Sequence, residues 1–288
     1  MSDEISEHRV QRYFDGITIL AQQQMSRLRS IVRVESGISA KIAFFDQIGQ
    51  TSMQEKLTRH TDTPLLEVQH RRRSVAMRFF HTADLVGMAD LNTVLNDPSG
   101  SYGKVMAMAA GRKIDELVAA EFFASSNTGE TGTTPQAFPV ATHQIVHGSV
   151  GLTIAKILAA KRILDENEND PSMARHAGVS AKQVEDLLNT TEVASSDFNT
   201  VKALAQGDIN TYCGFKFTRY EGFDVASSIR SNPFYSEASM LLAFGIDITG
   251  RISDRPDKDH DQQIYYSFRA GATRMDETGV VEVQSDES

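Results

Sequence analysis

The stretch TSMQEKLTRHTDTPLLEVQHRRRSVAMRFFHTADLV, residues 51–86, decides the reading of this chain. Leu66 and Val68, then Val75, Met77 and Phe79, alternate with polar residues. A period of two predicts extended chain. Arg71, Arg72 and Arg73 interrupt the apolar positions. Two long strands with a polar tip make a projecting arm, too polar to build a core of its own. An isolated two-stranded arm is marginal in water, and its edges invite pairing unless something covers them. No other part of the chain looks made to receive all of it. The segment therefore predicts partner subunits, and an assembly protein before an enzyme.

Downstream, DLVGMADLNTVLNDP (residues 84–98) fits a short helix over 84–96 that stops at Asn96-Asp97-Pro98. Ser99 or Ser101 can cap the next helix. From 102 to 124, Val105, Met106, Ala109, Ile114, Leu117, Val118 and Phe122 keep a helical period, and about 1.5 Å per residue makes this helix roughly 35 Å long. Gly103, Ala107, Ala110 and Gly111 permit close packing. Residues 125–135, SSNTGETGTTP, read as a loop. Upstream, Val10, Phe14, Ile17, Ala21, Met25 and Leu28 predict a helix over 7–29, with Gln22, Gln23 and Gln24 mostly on its wet side. Residues 31–82 read as extended, with Ile42, Phe44 and Phe45 before the turn at Gly49.

Residues 136–235 predict a second unit of α/β type. A helix fits 153–167 and a strand 173–179. Ser180 caps a helix through Val184, Leu187 and Leu188, and another runs from Ser195 or Ser196 to Gly207. Residues 212–220 alternate as a strand with Phe215 and Phe217. Beyond 236 the chain reads as strands over 238–248, 262–268 and 280–283, with a charged loop between 253 and 261.

Composition bounds the function. The 288 residues carry a formal charge of −9, which argues against a dedicated nucleic-acid binder. No apolar run approaches the roughly 18 residues of a membrane span, and the acidic N-terminus is not a secretory signal. Cys213, the only cysteine, rules out an intrachain disulfide and a thiolate metal cluster and suits a reducing compartment. There is no Walker loop, GxGxxG or GxSxG. His60, His70 and His81 are spaced for surface or interface positions, not for zinc. Asp254, Asp257, Asp259 and Asp261 lack the glycine and terminal glutamate of a calcium loop and read as solvated. Arg71–Arg73 read as partners for an acidic patch on a neighbouring subunit rather than for nucleic acid. Neither a catalytic set nor a cofactor is expected. One alternative of another class stays open: an α/β enzyme with a substrate-gripping arm.

The order and spacing of several motifs resemble the major capsid proteins of tailed double-stranded-DNA bacteriophages. They are RHTDTPLLEV, RRRSVAMRFF, ADLVG, NDPSGSYGKVMAMAAGRKIDELVAAEFF and TGETGTTPQAFP, then the tract SAKQVEDLLNTTEVASSDFNTVKALAQGDINTYCGFKF, and finally SFRAGATRMDETGVVEV. Coverage runs from about residue 30 to the C-terminus. The resemblance implies an α+β fold of the Hong Kong 97 type. Residues 1–40 would be an N-terminal arm and 41–82 an extended loop overlapping an adjacent subunit. Residues 83–139 and 236–288 would be the peripheral domain, with its spine helix over 102–124, and 140–235 the axial domain. It implies hexamers and pentamers of identical copies around packaged DNA, in a virion assembled in the bacterial host cytoplasm. A separate scaffolding protein, a portal and, as an option, a decoration protein would be partners. An encapsulin-like nanocompartment shares the fold. Inter-subunit contacts are expected from Lys56, Arg59, Arg71, Arg72 and Arg73. Some relatives join subunits through a loop lysine and a late asparagine. Lys56 could supply the lysine, but no asparagine follows Asn232, so a shell without covalent cross-links is expected.

Overall fold

The computed structural model describes residues 19–55, 59, 65–87, 99–189 and 211–288. Lys56, the first part of the helix expected over 7–29, most of that expected over 84–96, and the one expected from 195 or 196 to 207 lie outside these residues.

Mixed α+β architecture is what the alternating patterns produce. Strands are numbered in chain order. The first sheet runs β1 (Arg33–Glu35), β13 (Met240–Arg255), β14 (Asp261–Arg274), β4 (Arg78–Val86). Across it lies the long helix α1 (Ser99–Glu121) of 23 residues, displaced about three residues toward the N-terminus of the expected 102–124. Its apolar stripe buries Ala110, Ile114 and Val118, followed by Phe122 just past its end, against Leu242, Phe244, Phe268 and Ala270. Burying each large side chain contributes roughly 1.5–3 kcal/mol. Residues 84–86, expected to start a helix, instead extend β4, where Val86 pairs with Gln262 and is buried against Met106 and Ile264.

The second sheet runs β7 (Gln144–Ile145), β15 (Val280–Asp286), β12 (Ile229–Ser236), β8 (Arg175–Val179), β10 (Phe215–Arg219), β9 (Thr211–Tyr212), with β11 (Val225–Ala226) beside β12. A short helical turn, α2 (Val140–His143), precedes β7. Helices α3 (Ile154–Glu166) and α4 (Ala181–Leu188) bury Ile157, Ala160, Leu164, Val184 and Leu187 in one core with Phe215, Phe234, Val281 and Val283. α4 begins after the Ser180 cap read from the sequence, and α3 after Thr153, the first residue of the expected 153–167 helix. The Thr153 side chain accepts from the Lys156 amide, and Ser180 forms a capping box with Gln183. The strand read over 212–220 is broken at Cys213 and Gly214, both left-handed with φ of 51° and 87°. The last strand departs from the expected grouping of 236–288. Its consecutive buried valines, Val280 and Val281, go to the second sheet against β12, while β13 and β14 stay with α1.

The third sheet runs β2 (Ile42–Ile48), β3 (His70–Ala76), β5 (Ser126–Thr128), β6 (Thr134–Gln136). Residues 125–135, read as a loop, thus form a hairpin. Gly129 and Gly132 take left-handed φ of 91° and 65°, which lets Gly132 N–H donate to Gly129 C=O at 3.0 Å. Similarly, the charged segment 253–261 extends the β13–β14 ribbon and closes on bonds such as Asp261 N–H to Lys258 C=O, 2.8 Å.

Residues 19–28 are not helical; only Arg29–Ile31 form a 3₁₀ turn. The carboxylate of Asp115, fully buried on α1, supplies the reason. It accepts from the Arg27 and Leu28 amides at 2.9 Å each, from Ser26 Oγ at 2.5 Å and from Gln23 Nε2. Those main-chain donors are captured by a side chain instead of by a helical turn. Gln22 and Gln23, expected on a wet face, bond Arg112 and Asp115. The arm crosses α1 at Gly111, where a Cβ would stand 3.0 Å from the Ser26 nitrogen.

Candidate assembly surface

The β2–β3 hairpin is the root of the extended loop. Its strands pair in register from Ile42–Ala76 to Ile48–His70. Beyond the last pair, Gly49 N–H donates to Gln69 C=O at 2.8 Å, so the chain stays paired as it leaves the body. Apolar side chains on this projection find little cover. Ile48 is 71% exposed, Met53 fully exposed and Leu65 94% exposed, and on the arm Leu20 is 84% exposed. Single exposed apolar residues are ordinary, but a series on one projecting segment marks an interaction surface.

The root is held down by charge. Arg73 is buried and pairs with both oxygens of Glu277, while its Nε donates to Met275 C=O at 3.1 Å. Gln47 Nε2 donates to the same carbonyl at 2.8 Å. Arg274, fully buried, lies beside the same carboxylate, its Nε 3.7 Å from Glu277 Oε1. Arg274 Nη1 donates at 2.8 Å to the carbonyls of Phe122 and Ala124, at the end of α1. Its guanidinium also lies 5.3 Å from the Phe138 ring centroid. Burial lowers the Arg274 guanidinium from its ordinary value, and Glu277 opposes the shift. One carboxylate thus serves two buried guanidiniums, Arg73 by hydrogen bonds from Nη2 and Arg274 by a charge contact at 3.7 Å. Gly271 lets β3 approach β14: a Cβ there would stand 2.4 Å from the Ala76 carbonyl oxygen.

The five residues singled out from the sequence fall in different places. Lys56 lies outside the described residues. Arg59 and Arg71 are exposed. Arg72, partly exposed, pairs with Asp46 across the hairpin at 2.6 Å and lies 5.6 Å from the Phe44 ring centroid. Its hydrogen bond holds the Asp46 carboxyl below the usual carboxylate range. Arg73 turns inward to Glu277 of its own chain. Sequence reading assigns no role to Glu277, Arg274 or Asp115. The only signal for the first two is the acidic turn RMDET inside a recognised motif.

Among the described residues no cluster of histidine, cysteine or carboxylate side chains could hold a metal ion, and no helix is long and apolar enough to cross a membrane.

Comparison with curated protein sequences gives no match. Solved structures give many. The chain is similar to the capsid of cyanophage P-SCSP1u, with TM-score 0.74 and 14% identity over 99% of this chain and 95% of that one. A structure from Mycobacterium phage Che8 gives TM-score 0.73 and 13% identity, covering 96% and 97%. The capsid of Ralstonia phage GP4 gives 0.72 and 12%, covering 98% and 96%. At such identities the likeness is one of fold, and that fold is the Hong Kong 97 type expected from the motifs. The sequence itself matches the family described as phage capsid protein over residues 5–287. With nearly the whole length matched and the same architecture in those phage shells, the chain belongs to the phage capsid protein family.

Proposed function

We propose that this capsid protein assembles as hexamers and pentamers into an icosahedral head shell around packaged DNA, and that the extended loop is its principal inter-subunit element. One observation carries the second part: the series of uncovered apolar side chains on the loop, Ile48, Met53 and Leu65. Laid on a neighbour, each removes apolar surface from water at roughly 25 cal/mol per Å². Weak contacts repeated around a closed lattice allow correction during assembly and stability afterwards. Lys56, Arg59, Arg71 and Arg72 would supply the polar rim of that contact, with Arg73 fixing the root from inside. The role is structural, with no reaction and no cofactor. The −9 charge suits a wall that DNA must pass without sticking.

In this reading residues 1–40 form the arm and 41–82 the loop. The peripheral domain is 83–139 with β13 and β14, around the spine helix. The axial domain is 140–235, joined by β15. A separate scaffolding protein, a portal and, as an option, a decoration protein complete the assembly, which takes place in the host cytoplasm before the protein resides in the virion. The shell is held without covalent cross-links.

Negative-stain microscopy of the expressed protein, with and without scaffolding protein, tests this. Closed shells or hexamers are expected, and boiled shells should run as single chains on a denaturing gel. A particle that stays monomeric at high concentration, with the loop protected by its own body, would overturn the reading.

A further inference from the structure

We infer that the joint between the first and second sheets is an acid-operated catch, worked by His143 and His176. The inference concerns a single chain and stands apart from the assembly reading. The chain passes between these sheets at two turns that lie together. Residues Glu237–Ser239 carry it from β12 to β13, and residues 275–279 carry it from β14 to β15. The turns are bonded to each other. Met275 N–H donates to Ser239 C=O at 2.8 Å, and Ser236 N–H to Gly279 C=O at 3.0 Å.

A buried histidine stands beside each turn. Near residues 275–279, His143 Nε2 lies 2.9 Å from Asn167 Nδ2, and its Nδ1 lies 2.7 Å from Thr142 Oγ1. An amide nitrogen only donates, so Nε2 accepts and carries no proton. The same Asn167 nitrogen donates to Thr278 C=O at 3.4 Å, a carbonyl that Asn169 Nδ2 also reaches at 2.9 Å. Protonating Nε2 sets donor against donor. Asn167 must then turn its amide over, and in doing so it lets go of Thr278. Beside the other turn, neither ring nitrogen of His176 has a hydrogen-bond partner. Glu237, the first residue of that turn, stands 3.7 Å from Nε2, short of a hydrogen bond, with its side chain 46% exposed. A proton on His176 makes a buried cation that draws this carboxylate inward, and the turn moves with it.

The other charges around each ring are already engaged or opposed. Asp276 and Glu277 act on His143. Asp276 accepts from the Thr278 amide and hydroxyl at 3.0 and 2.9 Å, and Glu277 holds Arg73 and Arg274. Glu237 and, on β10, Lys216 act on His176 with opposite sign, and the Tyr235 ring lies 5.8 Å away on β12. Burial keeps both histidines below their ordinary value. The closed joint therefore holds fewer protons than the open one, and opening is favoured as pH falls below about 6.5. Two protons taken up together change the ratio of open to closed by up to about a hundredfold per pH unit, and one by up to about tenfold. The catch thereby sets how firmly the two units of the protein are held against each other.

Hydrogen exchange on the full-length chain tests this, read in peptides over residues 234–240 and 273–279 and corrected for the intrinsic pH dependence of exchange. Between about pH 7.5 and pH 5.5, the span over which histidine charges, protection at the Ser236 and Met275 amides should fall steeply, while the paired middles of β13 and β14 keep theirs. A double variant carrying His143→Gln and His176→Phe should keep the joint protected across the same range, because glutamine still offers Asn167 an acceptor and neither new side chain titrates. Protection at the joint that ignores pH in the parent overturns the inference, and so does an equal fall in the double variant. Equal loss across both sheets also overturns it, since that is acid unfolding of the whole chain. If the double variant misfolds, the single variants decide. Each should lower the pH slope from two protons toward one, and an undiminished slope in both overturns the catch.

Discussion

The seven-stranded sheet and the β2–β3 loop treat their apolar side chains in opposite ways. In the sheet, Phe215, Phe234, Val281 and Val283 are fully enclosed, with Ile157, Leu164 and Leu187 from two helices packed over them. On the loop, Ile48, Met53 and Leu65 remain largely in water. The sheet reaches its free-energy minimum within one chain. In the proposed assembly, the loop would do so only where other copies supply the missing surface. On that proposal, subunit stability and shell formation are separable properties of this sequence, carried by different residues.

The contrast breaks most sharply in the sheet. Phe234→Ala should cost about 3–5 kcal/mol of protomer stability by the usual cost of emptying an aromatic site, read as a lower denaturant midpoint, with shells lost because subunits unfold. At the junction of the two regions, Glu277→Ala leaves Arg73 and Arg274 buried without their carboxylate. A loss of about 3–4 kcal/mol is expected, with Glu277→Gln recovering part of it. Asp115→Ala strands the Arg27 and Leu28 amides, at about 1–3 kcal/mol for each unsatisfied buried group. Hydrogen exchange should quicken at those two amides while the seven-stranded sheet stays protected.

A smaller effect sharpens the account of the sheet. His176, on β8, is buried with neither ring nitrogen hydrogen-bonded, and Glu237 lies 3.7 Å away. Burial lowers its pKa, opposed by Glu237, while Lys216 lowers it further. The unfolded chain then binds the proton more readily than the folded one. This stabilisation is full above the ordinary histidine value near 6.5 and declines as pH falls below it. His176→Phe should flatten that decline in denaturant midpoints measured across the range. Smallest for the protomer is Leu65→Ser, expected within about 0.5 kcal/mol of the parent. Yet shell yield should fall. A protomer destabilised by Leu65→Ser as much as by Phe234→Ala would erase the distinction between the regions.

Much of this is legible in the sequence wherever the signal is local. Ser180 announces helix α4 because a cap acts on amides three residues away, and the apolar period over 153–167 announces α3. The period of α1 survives because its stripe packs against one sheet. The arm defeats the same reasoning because its apolar spacing fits a helix, while the deciding partner, Asp115, lies 87 to 92 residues downstream. Likewise Arg73 and Glu277 stand 204 residues apart, so three consecutive arginines look alike when only one turns inward. Val280 and Val281 announce a strand correctly but cannot name its sheet, since two consecutive buried residues fit either side of a covered layer.

Glu277 also has a mechanical meaning. It joins the guanidinium at the root of the hairpin to the one that grips the carbonyls of Phe122 and Ala124. In the proposed shell, tension applied to the loop by an adjoining copy would pass through the Arg73–Glu277 ion pair and the 3.7 Å Glu277–Arg274 contact to the end of the 23-residue helix. A strained contact on one side of a subunit is thereby delivered to its stiffest member, spreading the load instead of tearing the hairpin from its anchorage.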